Sequence, residues 1–140
     1  MVRGECGILG RTRVFEIMSS PPVVVGLDES LEYAARRMYE AGVGSVLVVD
    51  GDGRLRGILT RRDIIYLVAS GVARKNPPVR LYMSESVITV EEGEPVGVAL
   101  DRMREAGVRH LAVLDGRGGL VGVVSMWDIL MLLARECVEA

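Results

Sequence analysis

Short, nearly continuous apolar runs alternate along the chain with stretches in which apolar residues recur at every third or fourth position. The first pattern suits a strand and the second an amphipathic helix. Val23 to Val25 predicts a strand. Leu31, Ala34, Ala35, Met38 and Ala41 follow at helical spacing, with Asp28 or Ser30 available as N-cap and Gly42 placed for a C-terminal cap. Ser45 to Val49 and Leu55 to Leu59 are β-rich runs on either side of Asp50-Gly51-Asp52-Gly53, which predicts a hairpin. A second helix, Arg62 to Ser70, stops at Gly71.

The same series then begins again. A shift of 65 residues lays 18–67 on 83–132 without a gap, with 20 identities in 50 positions. Met18-Ser19 falls on Met83-Ser84, Ala41-Gly42-Val43 on Ala106-Gly107-Val108, Asp50-Gly51 on Asp115-Gly116, and Asp63-Ile64 on Asp128-Ile129. The second copy predicts a strand at Val87 to Val90, then a helix with Pro95 in its first turn and Val96, Ala99, Leu100, Met103 and Ala106 on its apolar face. A hairpin, Leu111 to Leu114 and Leu120 to Val124, and a closing helix from Trp127 to about Glu136 complete it. The predicted organisation is a tail at 1–13, units at 14–71 and 79–134, a linker at 72–78 containing Asn76-Pro77-Pro78, and a tail at 135–140. The fold class is α/β (α+β), two tandem β-α-β-β-α units. A unit this small is marginal alone, so two sharing an apolar sheet face predict a pseudo-twofold module with a ligand cleft between the copies.

The most informative segment is Gly57-Ile58-Leu59-Thr60-Arg61-Arg62-Asp63-Ile64, repeated as Gly122-Val123-Val124-Ser125-Met126-Trp127-Asp128-Ile129. Each runs from a strand into a helix. The hydroxyl can cap the helix, and the Asp three positions later suits the positive end of its dipole. A capping box explains both copies without a ligand. The same geometry also suits a nucleotide: the hydroxyl and the helix-start amides can donate to a phosphate, and the carboxylate can accept both hydroxyls of a ribose. Arg61 and Arg62 oppose the dipole, which solvation or a bound anion would offset. His110, the sole histidine, is either a partly buried hydrogen-bonded side chain or a phosphate contact. Trp127 reads as a core or interface residue rather than a base-stacking platform.

Composition narrows the classes. Seventeen basic against 19 acidic residues give a net charge of −2, which argues against a nucleic-acid or membrane-surface binder despite Arg3, Arg11 and Arg13. No apolar run reaches membrane-span length and the start lacks a signal-peptide core, so a cytoplasmic location is expected. One histidine and two cysteines near opposite ends support no metal site and no catalytic triad, and an enzyme is not expected. Cys6 and Cys137 read as two unpaired thiols, or as a bridge if the fold brings the ends together. In Asp50-Gly51-Asp52-Gly53, Arg54 and Leu55 occupy positions where a calcium loop needs a ligand and a glycine.

The glycine, apolar strand, Thr or Ser, two variable residues and Asp, following a hairpin, resemble the ligand signature of the CBS-domain family. The Met-Ser pairs, the Ala-Gly-Val helix ends and the Asp-Gly turns belong to the same pattern, and the likeness covers about 14–71 and 79–134 in register. It implies a stand-alone regulatory CBS pair (a Bateman module) of the energy-sensing kind, with no required cofactor. The ligand would be an adenosyl compound: AMP, ADP, ATP or S-adenosylmethionine. Carried over, Asp63 and Asp128 bind ribose, and Thr60 and Ser125 contact phosphate or sugar. Thr89 matches a ligand-facing Thr, where the first copy has Val24. Arg109-His110 resemble phosphate-contacting basic residues, where the first copy has Gly44-Ser45, and Arg62 is a further candidate. The resemblance also implies a homodimer and a separate regulated enzyme, transporter or transcription factor. A structural dimerisation module with empty clefts is the alternative.

Overall fold

The computed structural model describes residues 7–138, the side chain of Val138 excepted. Its chain order is α1 (Ile8–Arg11), β1 (Val24–Gly26), α2 (Leu31–Ala41), β2 (Ser45–Val49), β3 (Leu55–Thr60), α3 (Arg61–Ala69), β4 (Thr89–Glu91), α4 (Val96–Ala106), β5 (His110–Leu114), β6 (Leu120–Ser125) and α5 (Met126–Leu133). Single 3-10 turns lie at Val14–Glu16, Val72–Lys75 and Val79–Leu81, and a π-helical turn at Ala134–Val138 follows α5.

Two three-stranded sheets form, β1-β2-β3 and β4-β5-β6. In each, the first pair is parallel and the second antiparallel. A parallel pair needs a crossover, which α2 and α4 supply, while the antiparallel pair closes through a hairpin. Both hairpins carry a register shift, at Val48/Val49 and Val113/Leu114. The Asp50 turn is held by its own carboxylate, which accepts from the amides of Asp52 and Arg54 at 2.9 and 3.0 Å. Of the two N-cap candidates for α2, the structure uses Ser30, whose Oγ accepts from Tyr33 N at 3.1 Å. Gly42 and Gly107 end α2 and α4 at φ 68° and 69°, a conformation that favours glycine. Pro95 sits at the N-cap of α4, one residue before its first turn.

The compact units do not follow the sequence repeats. One is Pro22–Val87; the other combines the described residues up to Pro21 with those from Ile88 onward. The segment leading into each repeat therefore packs with the other repeat's sheet. In the first unit, Leu31 N donates to Pro77 O and Val79 N to Glu29 O, both at 2.8 Å. In the second, Val96 N donates to Thr12 O and Val14 N to Glu94 O, both at 2.9 Å. Ser84 exchanges backbone hydrogen bonds with Ile58, and Ser19 with Val123, so each Met-Ser pair borders a sheet edge. The segment expected to be a tail is partly core, since Ile8 is buried and belongs to the second unit's cluster.

Each core lies between one sheet face and its helices. In Pro22–Val87 it comprises Val25, Leu31, Ala34, Met38, Val46, Val48, Leu59, Leu67 and Val79. The second unit's core holds the equivalents Val90, Val96, Ala99, Met103, Leu111, Val113, Val124 and Leu132, with Ile8, Val14 and Ile129. Cys137 packs against that core and is disulfide-bonded, which corrects the unpaired-thiol reading for it. Cys6 lies outside the described residues.

Gly57 and Gly122 admit the Met-Ser segments. A Cβ at Gly122 would lie 2.7 Å from Ser19 O and 2.8 Å from Met18 Sδ, and one at Gly57 would meet Met83 Sδ and lie 2.9 Å from Ser84 O. Gly57→Ala and Gly122→Ala should each destabilise their unit by about 1–3 kcal/mol, the range for overpacking. Gly93→Ala, where a Cβ meets nothing within 4 Å, should be nearly silent. Urea unfolding of the three variants checks this.

Candidate functional site

The strand-to-helix junctions hold the signature residues. Thr60 ends β3 in extended conformation and is the N-cap of α3. Its Oγ1 accepts from Asp63 N at 3.3 Å and donates to Asp63 Oδ2 at 2.9 Å, while Thr60 N donates to the same Oδ2 at 2.8 Å. Ser125 and Asp128 repeat this at 3.2, 3.0 and 2.8 Å. All four residues are half-buried. The next amide is tied back to the strand start: Arg61 N donates to Gly44 O, and Met126 N to Arg109 O, both at 2.9 Å.

Sheet alternation decides which candidates share a face. The core face carries Val90, Leu111, Val113 and Val124. The opposite face carries Thr89, which pairs with Ala112, and His110, which pairs with Ser125. Thr89, His110 and Ser125 thus lie on one sheet face away from the helices, at the end where β6 turns into α5. Arg109, exposed, immediately precedes β5 and is linked through its carbonyl to Met126. Arg61 and Arg62 are exposed at the start of α3.

The corresponding face in Pro22–Val87 carries Val24, Ser45, Leu47 and Thr60. One difference escaped the sequence reading: Leu47 stands where the other sheet has Ala112. Both sit inside apolar runs, and only the register shows that they share a face with the signature hydroxyls. The second unit's face is therefore more polar, through Thr89 and His110, and less filled, through Ala112.

Behind Thr89, Arg102 Nη1 donates to its carbonyl at 3.0 Å and pairs with Glu94 at 2.9 Å, its Nη2 bonding the other carboxylate oxygen at 3.1 Å. Glu94 also accepts from Glu91 N at 2.9 Å. The equivalent of Arg102 in the other unit, Arg37, donates to Val24 O at 3.3 Å and stacks over Tyr33. Among the described residues, no group of three His, Cys, Asp or Glu could hold a metal ion, and no helix is long and apolar enough to cross a membrane.

A family model described as CBS domain matches residues 14–70 and 79–135. An uncharacterized 17.7 kDa protein of Acidianus ambivalens is 36% identical over 122 residues, covering 87% of this chain and 73% of its own. The L-aspartate semialdehyde sulfurtransferase of Methanocaldococcus jannaschii is 31% identical over 125 residues, which is 89% of this chain but only 24% of the larger enzyme. Among solved structures, the CBS domain pair of protein MJ0100, in complex with 5′-methylthioadenosine and S-adenosyl-L-methionine, superposes with a TM-score of 0.80 at 29% identity, covering 89% of this chain and 97% of that one. The protein PAE2072 of Pyrobaculum aerophilum, complexed with AMP, gives 0.77 at 30% identity, with 89% and 99% covered.

The Glu91 amide first, and Arg102 with it, hold the Glu94 carboxyl below its ordinary value against an opposing effect of burial. A depressed folded-state value means ionised Glu94 stabilises the fold above the ordinary carboxylate range, and this contribution is lost as pH falls through the folded value. Glu94→Gln should therefore lower stability at neutral pH and flatten its decline on acidification. Urea midpoints of both proteins from pH 7 to pH 3 check this.

Proposed function

The chain belongs to the CBS-domain family, and from that premise we propose that it is a non-catalytic regulatory module that binds an adenosyl nucleotide through its Thr/Ser-x-x-Asp junctions. The observation that carries the reading is the shared placement of Thr89, His110 and Ser125 on one sheet face, beside Asp128. The complexes of two similar pairs, one with AMP and one with 5′-methylthioadenosine and S-adenosyl-L-methionine, support an adenosyl group as the common element. In this reading Asp128 accepts the ribose hydroxyls, and Arg109 and His110 lie towards the charged end of the ligand.

The junction of Asp63 is the weaker site. Its face carries Val24 and Leu47 in place of Thr89 and Ala112, and Gly44-Ser45 in place of Arg109-His110. Arg61 and Arg62 are the cations near it. Ligand occupancy shifts the balance between conformations of the module, and a separate enzyme, transporter or transcription factor reads that balance.

Thermal unfolding with AMP, ATP or S-adenosylmethionine tests the assignment. At about 100 times its dissociation constant a ligand should add ~2.7 kcal/mol of stability. Asp128→Ala should abolish most of this gain and Asp63→Ala little of it. No stabilisation of the wild type by any of the three at millimolar concentration would favour a structural module with empty sites.

A homodimer is the second part of the proposal. Ile65, Tyr66 and Val68 on α3, and Trp127, Leu130 and Met131 on α5, are exposed apolar side chains. Positions 65 and 130, and 66 and 131, are equivalent in the repeat, so both closing helices present the same kind of surface, one that marks association sites. Light scattering should give twice the chain mass for the wild type and the monomer mass for Ile65→Glu combined with Leu130→Glu. A monomeric wild type rejects the dimer.

A further inference from the structure

We propose that the homodimer pairs unlike units: the helical face of Pro22–Val87 in one copy packs on the helical face of the second unit in the other, twice over about one two-fold axis. This rests on the homodimer reading above and names the surface of the second copy that each face takes.

The two faces use equivalent helices but differ in shape. Beside Ile65 the first unit has a groove of about 420 Å³ between α2 and α3, lined by Ala35, Met38, Val43, Ile64 and Arg61. The 65-residue shift puts Leu100 at the position of Ala35 and Met126 at that of Arg61. Leu100 and Met126 both pack against the second unit's core, whereas Ala35 offers only a methyl group and Arg61 is exposed. Space left open in the first unit is thus occupied in the second by the unit's own side chains. On the same face the second unit exposes Trp127, Leu130 and Met131. Large exposed side chains find more partner atoms in a groove than against another filled surface.

Charge selects the same pairing. Arg61 and Arg62 are exposed at the start of α3, and among the described residues neither takes part in an ion pair. Their equivalents on α5 are the uncharged Met126 and Trp127. Pairing like with like would bring four guanidinium groups to one contact and none to the other, and like charges set against each other disfavour a partner. Pairing unlike units gives each contact two arginines facing Met126 and Trp127, and an indole face attracts a guanidinium. A two-fold axis makes the two contacts identical, so the assembly closes at two copies.

A charge swap tests the pairing, read by light scattering of the full chain at low salt. Ile65 and Leu130 are equivalent and both exposed, so substitutions there should leave the fold intact, which circular dichroism checks. Ile65→Glu combined with Leu130→Lys sets Glu against Lys at both contacts only if unlike units meet. This variant should keep twice the chain mass, while Ile65→Glu with Leu130→Glu falls to the monomer mass. If like units meet, the swapped variant sets Glu against Glu and Lys against Lys and becomes a monomer. An equimolar mixture of the doubly acidic variant with Ile65→Lys, Leu130→Lys then still dimerises, which overturns the proposal and keeps the homodimer. A swapped variant and a mixture that are both monomeric beside a dimeric wild type also overturn it, as does a dimeric doubly acidic variant. A monomeric wild type overturns the homodimer reading and this one together.

Discussion

In each unit the last strand turns into the closing helix at a single residue, and the turn is held by a hydroxyl and a carboxylate three positions apart. Each side chain bonds the other's backbone amide, and the two also bond each other. This reciprocal cap sets where the helix starts, supplies partners for amides that a helix start leaves unsatisfied, and leaves an acceptor oxygen of the carboxylate outside the cap. The structural and the chemical interpretations of the motif are thus one arrangement: the bonds that cap the helix orient the carboxylate.

The sheets make that junction specific to each unit. Alternation sends Val25, Val46, Val48 and Leu59 in one unit, and Val90, Leu111, Val113 and Val124 in the other, into cores against the helices. Their neighbours along the strands necessarily occupy the opposite face, where the Thr/Ser of the motif also lies. With the frame preserved, substitutions on that face change its chemistry while the packing against the helices is kept. Val24 against Thr89, Ser45 against His110 and Leu47 against Ala112 are substitutions of this kind, and together they make the two faces chemically unequal.

The exchanged leading segments depend on close approach. Met18-Ser19 and Met83-Ser84 each border the edge of a strand that ends in a signature hydroxyl, and Gly122 and Gly57 admit them. An exposed strand edge is a liability that a short paired segment covers. Because the two segments share a sequence pattern, each makes with its sheet the backbone bonds that the other makes, and the repeat survives although the compact units cut the chain elsewhere.

Periodicity and turn chemistry are local properties, so the chain alone was enough to predict the strands, helices and hairpins of both copies, including the caps at Gly42 and Gly107. It also placed the hydroxyl and carboxylate of each motif at a helix start, because a capping box needs only residues three apart. Boundaries shifted by one to three residues, as at β1, where pairing with β2 rather than the apolar run selects Val24–Gly26, and at α5, which ends at Leu133 rather than near Glu136. What a one-dimensional pattern cannot carry is pairing between distant segments. Only the tertiary structure decided that Ile8 and Val14 belong with the second repeat's core, and that Leu47 and Ala112 share a face with the signature residues.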